Sequence, residues 1–291
     1  METRFLHTFV LVVEASSITE AARQLNVTPS AVIQRIRALE DEVGCELIHR
    51  AGHAMRPTAA GAAILERARQ MVGIAQDIAG IGSGDLEAGE LRLGVITTAV
   101  TGLLPDVLVS VKRNRPKIEV YMLPGISADL YRKTMEGELD AAILVKPHFK
   151  LPKTMAWLPL RLEPLIVLTP AAMTESDPRL ILTREPFIRY DRNHWGGRLA
   201  DRCLRRLRIN PREQFELDSL EAISVLVDRG LGVSLIPDWP APWPHGISVR
   251  KVAIPGAPVR EIGLVWPRAS ARLRLTEAFI QEIRAVLPPP A

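Results

Sequence analysis

Ser30, Gln34 and Arg37 stand four and three residues apart, a spacing that brings side chains onto one face of a helix. Their chemistry matches the edge of a base pair. The hydroxyl and the carboxamide both donate and accept, and the guanidinium reaches a guanine or a phosphate. Far along the chain, Arg189, Arg192, His194 and Arg198 form a second polar group, this one uniformly basic. It fits a small anion such as a carboxylate, and at least as well a solvated basic face or an ion pair between lobes. No G-x-S-x-G turn, phosphate-binding loop, H-E-x-x-H or Cys-x-x-Cys accompanies either group, so no catalytic residue, metal or cofactor is expected. Gly230-Leu231-Gly232 leads into a strand and is no dinucleotide fingerprint, and His49 and His53 lack a third ligand at useful spacing.

The first group needs a helix that stands proud of its neighbours, and the flanking residues supply one. Thr28 caps it, Pro29 fits its first position, and Gly44 ends it. Val32, Ile36, Leu39 and Val43 form its apolar stripe, with Ser30, Gln34, Arg37 and Asp41 opposite. A shorter helix precedes it, opened by Ser17-Ile18-Thr19-Glu20 in the form of a capping box, and Asn26-Val27 makes the turn between them. Before both, Phe5, Phe9, Val12 and Val13 mark an amphipathic first helix; Glu14 follows at once, so this is no signal peptide. After Gly44, Glu46 to Arg50 and Ala54 to Arg56 read as two strands joined at Ala51-Gly52-His53, a wing that carries Arg50, His53 and Arg56 towards phosphates or a minor groove. Through residue 58 there are six arginines against seven carboxylates, so any grip on DNA depends on where the charges sit. A helical hairpin with no DNA role is the plain alternative.

Ser17-Ile18-Thr19-Glu20-Ala21-Ala22, Thr28-Pro29-Ser30-Ala31-Val32, Arg37-Ala38-Leu39-Glu40 and Pro57-Thr58-Ala59-Ala60-Gly61 come in an order and spacing that resembles the DNA-binding segment of LysR-type transcriptional regulators. The resemblance implies a winged helix-turn-helix with Ser30, Gln34 and Arg35 at the groove and Arg50, Arg56 and Thr58 near the backbone. With Thr28, Ile33, Arg37 and His53 these make the expected DNA-binding set. Two residues depart from the family, Ile33 and Ile48 standing where it usually has Ser and Phe. Ile33, on the flank of the reading helix, either meets a thymine methyl or packs.

From Thr58 to about Ile81, Ile64, Ala68, Met71, Ala75 and Ile78 recur at helical spacing with Leu65, Val72 and Ala79 beside them, a stripe broad enough to pair with its copy. Gly80, Gly82, Ser83, Gly84 and Gly89 then read as a hinge. Beyond it, strands at Leu91–Ile96, Ile118–Leu123 and Ala141–Val145 alternate with helices at Leu103–Asn114 and Ala128–Glu136, which predicts a parallel sheet with crossover helices. A second set runs from Leu165 to Ile236, and Glu261–Trp266 with the helix Leu275–Val286 returns to the first lobe. The expected fold is α/β: a DNA-binding domain (1–58), a linker helix and hinge (59–89) and a two-lobed effector domain (90–291) like the periplasmic binding proteins. Lobe I covers about 90–164 and 265–291, and lobe II about 165–264.

Ligands in such sheets sit beyond the carboxyl ends of strands, where helix amides are free. That rule selects Thr97, Thr98, Gly125 and Ser127 on one lobe and Thr169, Arg192, Asn193 and His194 on the other, with Gly125 permitting a tight turn. For Thr97, Thr98 and Ser127, helix capping alone is nearly as good an account, and the family resemblance favours an inducer cleft. A disulfide switch needs two cysteines in the sensor; Cys203 is the only one there, Cys45 lying in the DNA-binding segment. No stretch of about 20 apolar residues offers a membrane span. The expectation is a cytoplasmic, ligand-responsive regulator that binds duplex DNA as a homodimer or homotetramer, senses a small molecule and contacts RNA polymerase. A solute-binding protein is the alternative, but it gives no reason for residues 17–58.

Overall fold

The computed structural model describes residues 2–52, 54–83, 88–240, 242–270 and 272–289, and the chain divides into two compact units, Met1–Glu90 and Leu91–Ala291. In the first, α1 (Thr3–Ala15), α2 (Ile18–Gln24) and α3 (Pro29–Val43) close around Leu6, Phe9, Val12, Val32, Ile36 and Leu39. The starts of α2 and α3 are chemically fixed. Ser17 Oγ accepts the Glu20 amide at 3.3 Å, and Thr28 Oγ1 accepts the Ala31 amide at 3.2 Å. Only half of the expected capping box forms. The Glu20 carboxylate turns to Arg23 (3.0 and 2.6 Å) and Gln24 (3.1 Å), and these bonds hold its pKa down at about 2. Charge-assisted bonds outcompete one backbone amide. Asn26 takes the left-handed turn at φ 51, and Gly44 stops α3 at φ 81. Val43, in the last turn, is exposed rather than part of the stripe.

The wing is shorter than expected. Glu40 Oε1 accepts the amides of Leu47 (2.7 Å) and Ile48 (3.2 Å), which removes the first residues from strand pairing. Strand β1 therefore spans Ile48–Ala51 and pairs antiparallel with β2 (Ala54–Pro57), His49 opposite Arg56 and Arg50 opposite Met55. Helix α4 (Ala59–Ser83) begins at Thr58, whose Oγ1 accepts the Gly61 amide at 3.0 Å. Gly61 lets α4 approach β1: a Cβ there would lie 2.0 Å from the Leu47 carbonyl oxygen. Ala68 and Val72 bury against the three-helix core, and Arg69 pairs with Glu14 of α1 at 3.0 Å. Gly80 and Gly82 do not break α4, which runs on to Ser83. Glycine weakens a helix by about 1 kcal/mol but keeps its amide. Gly84 lies outside the described residues.

The second unit begins with β3 (Gly89–Val95), α5 (Thr97–Gly102), α6 (Leu104–Asn114), β4 (Ile118–Pro124), α7 (Ser127–Met135) and β5 (Ala141–Val145). The single helix expected over Leu103–Asn114 is preceded by a separate short turn of helix, because Leu103 leaves helical geometry just before Pro105. There follow β6 (Met155–Pro170), α8 (Pro178–Arg184), β7 (Pro186–Tyr190), α9 (Trp195–Leu207), β8 (Arg212–Leu217), α10 (Leu220–Asp228), β9 (Ser234–Pro237), β10 (Val249–Ala253), β11 (Val259–Pro267) and α11 (Leu273–Val286). The sheet is mixed rather than parallel. Strands β3 and β5 run parallel, but β11 is antiparallel to β5 and β6, and β6 is antiparallel to β9 and β10.

One long strand serves both lobes. β6 pairs with β11 as far as Pro164 opposite Val259, and from Leu165 onward with β9, joined by β10 from Ile166. Alternate β6 residues then feed opposite faces, Leu165 and Val167 one core, Ile166 and Leu168 another. The first lobe closes around Leu93, Val107, Ile143, Leu264 and Phe279.

Candidate DNA-reading face and effector cavity

On α3, Ser30, Ile33, Gln34 and Arg37 are exposed, as the helical spacing requires once Val32, Ile36 and Leu39 are buried. Thr28 and Ser30 hydroxyls lie 2.9 Å apart, so Thr28 is both cap and neighbour of this face. Arg35 sits on the flank, half-buried, close enough to His7 of α1 to help hold its pKa down, although burial of the imidazole is the larger cause. Arg50 and Arg56 are exposed on the wing, Arg50 Nε donating to the Gly52 carbonyl at 3.2 Å. His53 lies outside the described residues. Thr58 is committed within the protein: its hydroxyl donates to the Glu46 carbonyl at 2.7 Å while capping α4. Ile33 borders a groove of about 440 Å³ with Ile18, Arg37, Arg50 and Met55, so it is open to an incoming group.

Charge placement now has an answer. Among the described residues, Arg35, Arg37, Arg50 and Arg56 have no carboxylate partner, whereas Arg4, Arg23 and Arg69 are paired with Glu2, Glu20 and Glu14. These four unpaired guanidiniums belong to α3 and the wing, the two elements that would meet a polyanion.

In the second unit a cavity of about 330 Å³ opens where strands end and helices begin. Its wall includes Thr97 and Thr98 at the start of α5, Gly125 after β4, Ser127 at the start of α7, His194 and Trp195 at the start of α9, and Ser219 to Glu221 at the start of α10. Five expected effector residues, Thr97, Thr98, Gly125, Ser127 and His194, thus come together. Gly125 is not there for a left-handed turn. Its φ is ordinary, and a Cβ would press within 3.1 Å of Leu130. Ser127 does not cap α7: its Oγ accepts the Val145 amide at 3.2 Å, tying the end of β5 to the cavity wall.

Thr169, Arg192 and Asn193 lie elsewhere. Strand β6 runs antiparallel to β9, which is bridged in parallel to β7 at Phe187–Val233, so the carboxyl ends of β6 and β7 point in opposite directions. Thr169 is accordingly buried away from the cavity, donating to the carbonyls of Pro170 (3.3 Å) and Arg250 (3.4 Å). Arg192 is held by Glu216 (2.9 Å) and Glu213 (2.7 Å); both carboxyl pKa values are depressed, that of Glu216 chiefly by Arg192 and that of Glu213 chiefly by Arg189. The Asn193 amide donates to Asp191 Oδ1 at 2.7 Å. Arg189 pairs with Asp201 (2.9 Å) and Glu213 (2.5 Å). The basic group of the second lobe is therefore largely an ion-pair network.

The cation that does reach the cavity is one that sequence reasoning missed. Arg260 on β11 is 2% exposed and pairs with Glu163, directly opposite on β6, at 2.7 and 2.5 Å. Its Nη2 also lies 3.4 Å from Thr98 Oγ1. Burial pushes the Glu163 carboxyl up, against the pull of Arg260, and burial likewise raises the neighbouring Tyr190 phenol. One signal was available: Arg260 falls in the same alternation as Ile262 and Leu264, so a buried strand phase contains a charge that must have a partner. Trp195 was also missed. It begins a second-lobe helix but packs into the first-lobe core, with Tyr131, Phe149 and His148 rings 5.9, 5.8 and 6.1 Å away. Gly196 and Gly197 permit this: Cβ atoms there would lie 2.7 Å from the Tyr190 ring and 1.8 Å from the Asp191 carbonyl oxygen.

Comparison with known proteins places both units in one family. Residues 3–62 match the family described as bacterial regulatory helix-turn-helix protein, lysR family, and residues 84–288 match the LysR substrate binding domain. The uncharacterized HTH-type transcriptional regulator YnfL of Escherichia coli (strain K12) is 30% identical, over 92% of this chain and 93% of its own. The HTH-type transcriptional regulator IlvY of the same organism is 27% identical over 99% of each. Among solved structures, a cysteine variant of full-length OxyR from Pseudomonas aeruginosa superposes with a TM-score of 0.66 at 27% identity, covering 99% of this chain and 97% of that one. Full-length CbnR complexed with target DNA shares the fold, with a TM-score of 0.65 at 20% identity over 98% and 100%. A solute-binding protein without DNA binding leaves the first match unaccounted for. The chain belongs to the LysR family of DNA-binding transcriptional regulators, with a helix-turn-helix segment and an effector-binding domain.

Proposed function

We propose that this regulator senses a small anion, most simply a carboxylate, in the 330 Å³ cavity of its second unit. One observation carries the reading. Helices α7 and α9 begin at the cavity behind Ile126 and His194, neither of which supplies a side-chain cap. Away from the cavity Ser17, Thr28 and Asp177 cap α2, α3 and α8 while α1, α6 and α11 start uncapped, and on its wall Ser219 caps α10. Uncapped first-turn amides at a cavity wall are anion receptors, aided by the helix dipole. Thr97, Thr98, Gly125, Ser127 and His194 border the anion on this reading, with Arg260 behind it.

In the first unit, Ser30, Ile33, Gln34 and Arg37 read base edges, with Thr28 and Arg35 beside them, while Arg50 and Arg56 hold the backbone and Thr58 fixes the start of α4 behind them. Met71, Ile74 and Ile78 of α4 are 44%, 50% and 64% exposed, an apolar row for pairing with a second copy as homodimer or homotetramer. Effector binding shifts the lobes, the shift alters how paired DNA heads are spaced, and promoter shape and RNA polymerase contact follow. The site of action is the cytoplasm, where the promoter is, and the cavity binds without catalysing. A peroxide-driven disulfide does not suit this sensor: Cys203 is its only cysteine, buried at 1% exposure with its thiol pKa pushed up by that burial. Titration calorimetry of the full chain against small carboxylates checks the effector reading. Heat from at least one is expected, and response only to neutral compounds overturns it.

A further inference from the structure

Building on the anion reading above, we infer that the effector is a zwitterion, a small amino acid with an apolar side chain. The charge inventory of the cavity carries this. Its buried cation brings no net charge, because Arg260 is neutralised by Glu163 at 2.7 and 2.5 Å. Two carboxylates on the same wall are in a different state. Asp218 and Glu221, flanking the first turn of α10, have neither ion pair nor side-chain hydrogen bond among the described residues. Neither is needed to start the helix, since Ser219 Oγ already accepts the Ala222 amide at 3.2 Å.

Other acids of this lobe are paired. Asp201, Glu213 and Glu216 are each paired with arginine at 2.5 to 2.9 Å. A cavity that presents free amides from α7 and α9 and free carboxylates from α10 is complementary to a molecule bearing both signs. A simple carboxylate would leave the two acids uncompensated and, on closure of the lobes, repelled. An ammonium group removes that cost. The remaining wall is apolar, Ile96, Ile126, Val145, Trp195 and Leu220, and at about 330 Å³ the space suits a ligand of modest size.

The test is calorimetry of the full chain with three probe sets: the standard L-amino acids, the 2-hydroxy acids that lack the ammonium, and the amines that lack the carboxylate. At least one apolar amino acid should bind, with its 2-hydroxy acid and amine weaker by about tenfold or more, as expected for loss of a charged hydrogen bond. Asp218→Asn combined with Glu221→Gln should abolish the preference for the amino acid over its 2-hydroxy acid, weakening the former and not the latter. Both positions are at the cavity surface, and a matched thermal melt shows that the double variant is folded. If the 2-hydroxy acids bind as tightly as the amino acids, the zwitterion is overturned while the anion reading stands. Binding of the amines alone, or of nothing in the three sets, overturns both.

Discussion

The arginines nearest each candidate site are used in opposite ways in the two units. In the first, the guanidiniums of α3 and the wing face outward without carboxylate partners. In the second, Arg189, Arg192 and Arg260 are each bound to one or two acids. Formal charge hides this, since the first 58 residues contain more carboxylates than arginines. What matters is that Glu2, Glu20 and Glu14 occupy arginines on α1, α2 and α4, leaving those of α3 and the wing available. A polyanion needs free cations. Buried arginines in a ligand-binding lobe need carboxylate partners, because an unpaired buried charge is expensive.

The sharpest way to break the comparison is inside the second unit. Glu163→Leu alone strands Arg260, and a loss of about 3–5 kcal/mol is expected in denaturant unfolding. The double variant Glu163→Leu, Arg260→Met should recover most of that loss; if it is no more stable than the single variant, the pair is not the unit described. Next in size, Gly61→Ala drives a Cβ towards the Leu47 carbonyl and should destabilise the first unit by about 1–3 kcal/mol, abolishing DNA binding at growth temperature while effector affinity survives. Chemical denaturation followed in the two units separately checks this.

Arg37→Ala should weaken operator binding by about 1–3 kcal/mol in anisotropy titrations, and Gln34→Ala less, both with effector affinity near the unmutated value. Arg192→Ala should leave DNA affinity unchanged and lower the melting temperature only slightly, because its partners are exposed. A comparable DNA defect from both arginine variants would erase the distinction between the units. The smallest effect is one of pH. Arg189 and Arg192 depress the Glu213 and Glu216 pKa values in the folded state. Their stabilisation is therefore present above the ordinary carboxyl value of 4.5 and fades as the pH falls below it. Arg192→Ala should melt with a shallower acid dependence than the unmutated chain, and parallel curves would show that the network is uncoupled from folding.

How far each site was legible from the residues follows the same division. The reading head is local: the cap at Thr28, the stop at Gly44 and the face of Ser30, Gln34 and Arg37 lie within one helix and its ends, so spacing alone arranges them. The departures there, such as Glu20 turning to Arg23, are choices between nearby partners. The cavity joins residues from Ile96 to Arg260, and no local period connects Glu163 to Arg260 across strands 97 residues apart. Strand-end reasoning found Thr97, Ser127 and His194. It failed at Thr169 because alternation of strands and helices does not show which strand runs backwards.

The central claim is that the unpartnered arginines of α3 and the wing hold duplex DNA. Measuring affinity for the chain's own upstream DNA across a salt series tests it most directly, for the unmutated protein and for Arg37→Ala and Arg50→Ala. Affinity should fall steeply with salt, and each substitution that removes a phosphate contact should lower the slope of log affinity against log salt by about 1. Absence of binding at low salt, or slopes that both variants leave untouched, would contradict the account.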